Sequence, residues 1–299
     1  MTYNLLVILG PTASGKTRLG VQAAHALGGE IISADSRQVF TGMDLGTGKD
    51  LSEYGDIPCH LIDIRPAGSE FSVFDFQQHF CAAYAAIRSR DRLPLLVGGT
   101  GLYLDCVLRN YRLVKVPENP QLRAALASLS MEQLAARLQA LKPEQHNTTD
   151  LANRERLLRA IEIAEGELPA SDAGPALADL RPLVFGVHWE RSVLRRRITE
   201  RLKQRLAEGL VDEVQTLLDG GVSHAMMEHY GLEYRLVSQH LRGELNRNDM
   251  FQKLNSAIHQ FAKRQETWFR RMQRQGVVIH WLDGDKAPLQ GLLRTFNNP

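Results

Sequence analysis

The sequence predicts an α/β protein, a parallel sheet flanked by helices and interrupted by an all-helical insertion. Three observations carry this expectation. Short apolar runs alternate with stretches of helical length through the first third of the chain, a glycine-rich loop joins the first run to the first helical stretch, and strand-like runs vanish between residues 117 and 180.

Taken in order, Leu5–Leu9, Glu30–Ala34, His60–Ile64 and Pro94–Val97 each have the length and apolar continuity of a buried strand. Between them, Thr17–Leu27 and Val73–Arg88 read as helices. Such alternation requires right-handed crossovers and a sheet covered on both faces, with ligand sites at the carboxyl ends of the strands. From Pro117 to Leu180 the residues Leu, Ala, Arg and Gln dominate, bracketed by VPENP and PASDAGP. A discontinuous core of residues 1–116 and 181–299 is therefore expected around a helical domain at 117–180. Arg181–Trp189 returns to a strand pattern, helical periodicity runs on to Gln275, and Val277–Trp281 reads as a last short strand. There is no internal repeat and no low-complexity tract.

Composition narrows the class more than the function. With 43% hydrophobic and 23% charged residues the chain is neither disordered nor fibrous, and a formal charge of +2 means that any polyanion site must come from local clustering of Lys and Arg. Cys59, Cys81 and Cys106 form no C-x-x-C pair, which argues against a zinc site or a disulfide framework and for a reducing, cytoplasmic setting. The apolar start, Leu5–Leu9, is too short for a membrane span and runs straight into the glycine loop, so no membrane association is expected.

That loop, Gly10-Pro11-Thr12-Ala13-Ser14-Gly15-Lys16-Thr17, fits G-x-x-x-x-G-K-[ST] between an expected strand and an expected helix, the setting of a P-loop NTPase-like fold. Its amides and the helix N-terminus suit a phosphate group, Lys16 adds a cation, and the Thr17 hydroxyl suits Mg²⁺. A triphosphate and a diphosphate ester both fit. Asp35 and Asp63 are the candidates for an acidic residue ending a neighbouring strand.

Asp35 is followed by Ser36, Arg37 and Gln38, which sets a carboxylate and an amide at the sheet edge beside the cradle. The group suits the edge of an adenine, whose exocyclic amine is so weak a nucleophile that a base must take its proton as a bond forms. The alternative is a turn or helix-cap role for Asp35. In Gly98-Gly99-Thr100-Gly101, the glycines permit close approach of a ligand and Thr100 offers a hydroxyl, although a tight strand-to-helix connection has the same composition.

GPTASGKT, DSRQVF with MDLGTGK, HLIDI, GGTGLY and AKRQETWFR occur in this order, and over nearly the whole length the chain resembles the tRNA dimethylallyltransferase (isopentenyltransferase) family of bacterial type. The resemblance implies that the cradle holds the diphosphate of dimethylallyl diphosphate and that Asp35 is the base acting on the adenosine 3′ of a tRNA anticodon. It gives Thr100 a place in the site and Arg197, in R-I-x-x-R with Arg201, a diphosphate contact. Arg205, one turn further, reads as a solvated basic face.

Contacts to the tRNA are implied for Arg123 in NPQLR, for Glu155-Arg156-Leu157-Leu158-Arg159, and for Lys263, Arg264, Gln265, Trp268 and Arg270 of the last long helix. In that helix cations, an amide and an aromatic at helical spacing suit phosphates and a stacked base. Equally, the leucines and Trp268 suit a helix core. The chain departs from the family pattern at Glu233 and at His259, and lacks a cysteine-histidine finger after the core. A monomer is expected. Competing readings are a small-molecule kinase, an adenylate prenyltransferase acting on a free nucleotide, and an RNA-binding switch without bond-making chemistry.

Overall fold

The computed structural model describes residues 3–143, 153–167 and 179–298. Packing divides the chain into two units, one of Met1–Tyr111 with Leu177–Pro299 and one of Arg112–Ala176. In chain order the first part of the larger unit carries β1 (Leu5–Leu9), α1 (Lys16–Leu27), β2 (Gly29–Ala34), β3 (Phe40–Thr41), β4 (Cys59–His60), β5 (Arg65–Pro66), α2 (Val73–Arg88), β6 (Leu93–Gly98) and α3 (Gly101–Leu108). The smaller unit carries α4 (Pro120–Ala125), α5 (Met131–Leu141) and α6 (Arg154–Glu167). The remainder of the larger unit is β7 (Pro182–His188), α7 (Arg191–Ala207), α8 (Leu210–Asp219), α9 (His224–His229), α10 (Leu232–Leu241), α11 (Arg247–Arg274), β8 (His280–Asp283) and α12 (Pro288–Asn297).

Six strands form one sheet in the order β4, β2, β6, β1, β7, β8, and every neighbouring pair is parallel. All of β1 is buried because successive side chains leave opposite faces and both faces are covered. Leu5, Val7 and Leu9 join Phe76, Phe80 and Leu104 on one face. Leu6 and Ile8 join Leu19, Ala23 and Leu292 on the other. Each such side chain contributes about 1.5–3 kcal/mol of burial, so one polar residue in β1 would remove a large share of a typical domain's net stability.

The helix at α2 spans the residues its pattern predicts, and its start is fixed chemically. Ser72 Oγ accepts the Asp75 N–H at 3.2 Å while Asp75 Oδ2 accepts the Ser72 N–H at 2.9 Å, a reciprocal cap. On α7, the stripe of Leu194, Ile198 and Leu202 packs against Leu254, Ile258 and Ala262 of α11, together with Ala13 of the glycine loop.

Two expected strands differ from the pattern. His60–Ile64 does not continue as a strand beyond His60, because Leu61 and Asp63 take left-handed backbone angles (φ 64 and 53) that turn the chain out of the sheet. A loop earlier in the chain holds this turn. Fully buried Lys49 binds the Phe40 carbonyl and Asp44, both at 2.7 Å, and captures Asp63 as well. The last strand, expected at Val277–Trp281, is β8 at His280–Asp283.

The smaller unit encloses a core of Leu126, Leu134, Leu138, Leu157, Ile161 and Ala164. The bracketing stretch Pro169–Pro175 lies outside the described residues. No helix among the described residues is long and apolar enough to cross a membrane.

Candidate active site

The glycine loop leaves β1 and turns into α1 through left-handed residues at Ala13 (φ 60) and Gly15 (φ 83). Gly15 is the N-cap and offers no side-chain cap, so the first-turn amides are open to an anion. Side chains from three later elements hold the loop by its backbone. Trp189 Nε1 donates to the Ser14 carbonyl at 2.8 Å, Arg197 Nε donates to the Ala13 carbonyl at 2.9 Å, and Gln265 Oε1 accepts the Thr12 N–H at 2.8 Å. Arg197 also lies 4.2 Å from the Trp189 ring centroid. A loop held this way presents its donors already oriented.

Beside it opens a cleft of about 330 Å³ lined by Lys16, Thr17, Arg197, Arg201 and Arg205 together with the carboxylates of Asp50, Glu53, Glu200 and Glu208. Burial pushes the Lys16 ammonium down to about 8, against a smaller upward pull from Asp35. Arg201 is paired with Asp50. Arg205 is not the solvated residue its position in a basic run predicts. It is 9% exposed, and burial with the neighbouring Arg201 charge pushes its guanidinium down to about 10. Its passage depends on Gly48, where any Cβ would overlap the Arg205 guanidinium.

The Thr17 hydroxyl makes no hydrogen bond among the described residues, and no cluster of three or more His, Cys, Asp or Glu side chains suited to a metal occurs among them. The donor set therefore fits a cation held by Thr17 and by the oxygens of a bound phosphate, not a protein cage.

Since β6 lies between β1 and β2, Asp35 at the end of β2 sits two strand spacings from the cradle, about 10 Å. The loops after β2 and β6 are tied together. Thr100 Oγ1 accepts the Ser36 N–H at 3.0 Å, and the Thr100 N–H donates to the Ala34 carbonyl at 3.1 Å. Asp35 Oδ1 accepts the Arg37 N–H at 2.9 Å, while Oδ2 has no partner among the described residues. Arg37 is half-buried, its guanidinium pulled down by burial, and makes no side-chain hydrogen bond or ion pair among those residues.

A family model described as IPP transferase matches residues 38–272. The chain is 82% identical, over 99% of each protein, to tRNA dimethylallyltransferase 2 of Syntrophotalea carbinolica. It belongs to the IPP transferase family. It is also 62% identical to tRNA dimethylallyltransferase 1 of Geotalea uraniireducens over 97% of this chain and 96% of that protein. Among solved structures, the full-length tRNA isopentenylpyrophosphate transferase of Bacillus halodurans superimposes with a TM-score of 0.72 at 33% identity, covering 98% of this chain and 94% of that one. A eukaryotic dimethylallyltransferase at 21% identity shares the fold, with a TM-score of 0.79 over 99% of this chain and 79% of that one.

Several residues expected at the site are engaged in other contacts. Gln38 is buried, accepting from Ser33 Oγ at 2.9 Å and donating to the Gly48 carbonyl at 3.2 Å, so it props the Met43–Asp50 loop. Asp63 is tied to Lys49 and does not reach the cradle as a second carboxylate. Gln265 is likewise buried. Its amide nitrogen donates to the Gly99 carbonyl at 2.9 Å while its oxygen holds Thr12, which makes it a bridge between the two glycine loops and not a surface contact.

Trp268 is half-buried against Gly101, and its indole N–H has no partner among the described residues. Lys263, Arg264 and Arg270 stand exposed on α11. In the smaller unit Leu157 is core, Leu158 is partly buried, and Glu155 and Arg156 are exposed. Arg123 and Arg159 converge on buried Glu162: Arg123 Nε lies at 2.7 Å and Arg159 Nη1 at 3.1 Å, and Arg159 also donates to the Val116 carbonyl at 2.6 Å. Burial alone would raise the Glu162 carboxyl, but the bonds from Arg123, the Asn119 N–H and Arg159 outweigh it and hold the group at about 2.

The family departures have local partners as well. His259 Nε2 lies 3.2 Å from the Arg195 carbonyl. Burial pushes the Glu233 carboxyl up, partly countered by Arg205. Trp189 and Glu213 went unnoticed in the sequence. Glu213 accepts the N–H groups of Asp44, Leu45 and Gly46 at 2.9, 2.6 and 3.0 Å, holding the loop that carries Gly48.

Proposed function

We propose that this protein transfers the dimethylallyl group of dimethylallyl diphosphate to the exocyclic amine of the adenosine 3′ of the anticodon in tRNA, releasing diphosphate. The observation that carries the reading is the pairing of a cleft that holds Lys16 and three arginines beside the glycine loop with a carboxylate two strands away whose Oδ2 is unengaged among the described residues. In the reaction the allylic carbon–oxygen bond breaks, its electrons pass to the leaving diphosphate, the amine nitrogen bonds the same carbon, and the amine proton goes to Asp35. Negative charge grows on the phosphate oxygens at the loop amides, Lys16 and Arg197, so these groups stabilise the transition state more than the substrate.

Thr100 holds Ser36 and thereby the turn that presents Asp35. Mg²⁺, bound through Thr17, would neutralise part of the diphosphate charge. The adenosine must leave its stack to reach Asp35, and exposed Lys263, Arg264 and Arg270 with half-buried Arg37 supply phosphate and base contacts that offset the unstacking. The reading places a monomer in the cytoplasm, where its tRNA is found.

The test is to incubate the full chain with labelled dimethylallyl diphosphate and either bulk tRNA or AMP. Label in tRNA is expected. Label in AMP alone selects a free-nucleotide prenyltransferase, and phosphoryl transfer from ATP without prenylation selects a kinase. Asp35→Asn should lower turnover by roughly 10²–10⁴-fold with tRNA affinity retained.

A further inference from the structure

Arg197, Arg201 and Arg205 recur every fourth residue on α7, so they climb one helix face in steps of about 6 Å and all three line the cleft beside Lys16. Their engagements differ. Arg197 binds the Ala13 carbonyl and rests on Trp189, and Arg201 is paired with Asp50. Arg205 makes no hydrogen bond or ion pair among the described residues, and its buried Nε–H has no acceptor. The charges of Glu233 and Asp50 bear on it, yet neither carboxylate comes within ion-pair distance.

An unpaired guanidinium out of water is destabilising unless an anion arrives. The surrounding backbone is nonetheless built around it. Gly48, at φ 63, leaves the space the guanidinium fills, and its loop is fastened independently by Gln38 and Glu213. A buried basic residue without a partner, lining the same cleft as Lys16, Arg197 and Arg201, is arranged for an anionic ligand.

We propose that Arg205 is a further diphosphate ligand, its planar fork taking phosphoryl oxygens that the loop amides and Lys16 leave uncovered. This rests on the reading of the cleft given under Proposed function. It also assigns Gly48 a purpose, since a side chain there would displace Arg205.

The experiment titrates inorganic diphosphate into the full chain by calorimetry and records melting with and without it, for the wild type, Arg205→Met and Arg205→Lys. Arg205→Met should melt at or above the wild type without ligand, bind diphosphate roughly tenfold to hundredfold more weakly, and gain less from it on melting, with the KM for tRNA unchanged. Unaltered diphosphate affinity overturns the proposal, whether the ligand-free melting point falls or not. Should Arg205→Met not fold, Arg205→Lys decides: a loss of diphosphate affinity relative to the wild type supports the assignment, and none overturns it. A wild type that fails to bind diphosphate removes the reading of the cleft itself, a result distinct from equal binding by wild type and variant.

Discussion

Lys16 shows how one side chain can be unfavourable in the empty protein and favourable in the loaded one. Burial pushes its ammonium down to about 8 from an ordinary value near 10.5. Between those two values the unfolded chain binds more protons than the folded one, so the Lys16 contribution to stability rises with pH through that window and is least favourable below about 8. An anion reverses the preference, because its charge favours the protonated form. Diphosphate binding near pH 8 should therefore be accompanied by proton uptake at Lys16, visible as a calorimetric enthalpy that depends on the ionisation enthalpy of the buffer. Lys16→Met should bind more weakly and lose that uptake. Equal buffer dependence in wild type and variant would detach Lys16 from the bound anion. Arg205 differs from it, since its guanidinium, pushed down to about 10, is still charged near pH 8.

At the scale of elements, the site depends on helices far along the chain reaching back to the first loop. Gln265, on α11, joins the Thr12 N–H to the Gly99 carbonyl and so fixes the separation between the β1 and β6 loops. Gln265→Leu keeps the volume but strands a buried donor and a buried acceptor, which should destabilise the protein by about 2 kcal/mol and lower kcat more than it changes tRNA affinity, as read by denaturant unfolding and steady-state kinetics. In the smaller unit, Glu162 is held at about 2 against an ordinary 4.5, so its contribution is present above about 4.5 and is lost as pH falls toward 2. The difference corresponds to roughly 3 kcal/mol. Glu162→Gln should speed amide hydrogen exchange in α6 at pH 7, and the gap to wild type should narrow as the pH is lowered to 3. Arg159→Ala should act in the same direction, because its donors are engaged by Glu162 and the Val116 carbonyl.

Across the whole molecule, the features legible in the sequence are those that depend on neighbours in the chain. Continuous apolar runs mark β1 and β6 because a strand covered on both faces needs no polar side, and the glycine loop is a local motif. The roles of Gln265, Arg205 and Trp189 were not legible, since each depends on where α7, α11 and the end of β7 return to the loop, and a buried bridging amide has the same letter as an exposed one. His60–Ile64 reads as a strand for the same reason, the capture of Asp63 by Lys49 being invisible to a local pattern.

Charge obeys a similar division. A formal charge of +2 gives little long-range attraction for a polyanion, so electrostatic binding of tRNA must come from local groups such as Lys263, Arg264 and Arg270, which are exposed and carry no ion pair among the described residues. Each cation that meets a phosphate releases condensed counterions and adds about 0.7–0.9 to the slope of log affinity against log salt. Changing all three to Gln should therefore lower that slope by roughly 2–3 while leaving inorganic diphosphate affinity as in the wild type, because none of the three lines the cleft. Gln265→Leu, on the same helix but buried, should leave the slope alone. An unchanged slope in the triple variant would move the tRNA path off the exposed face of α11.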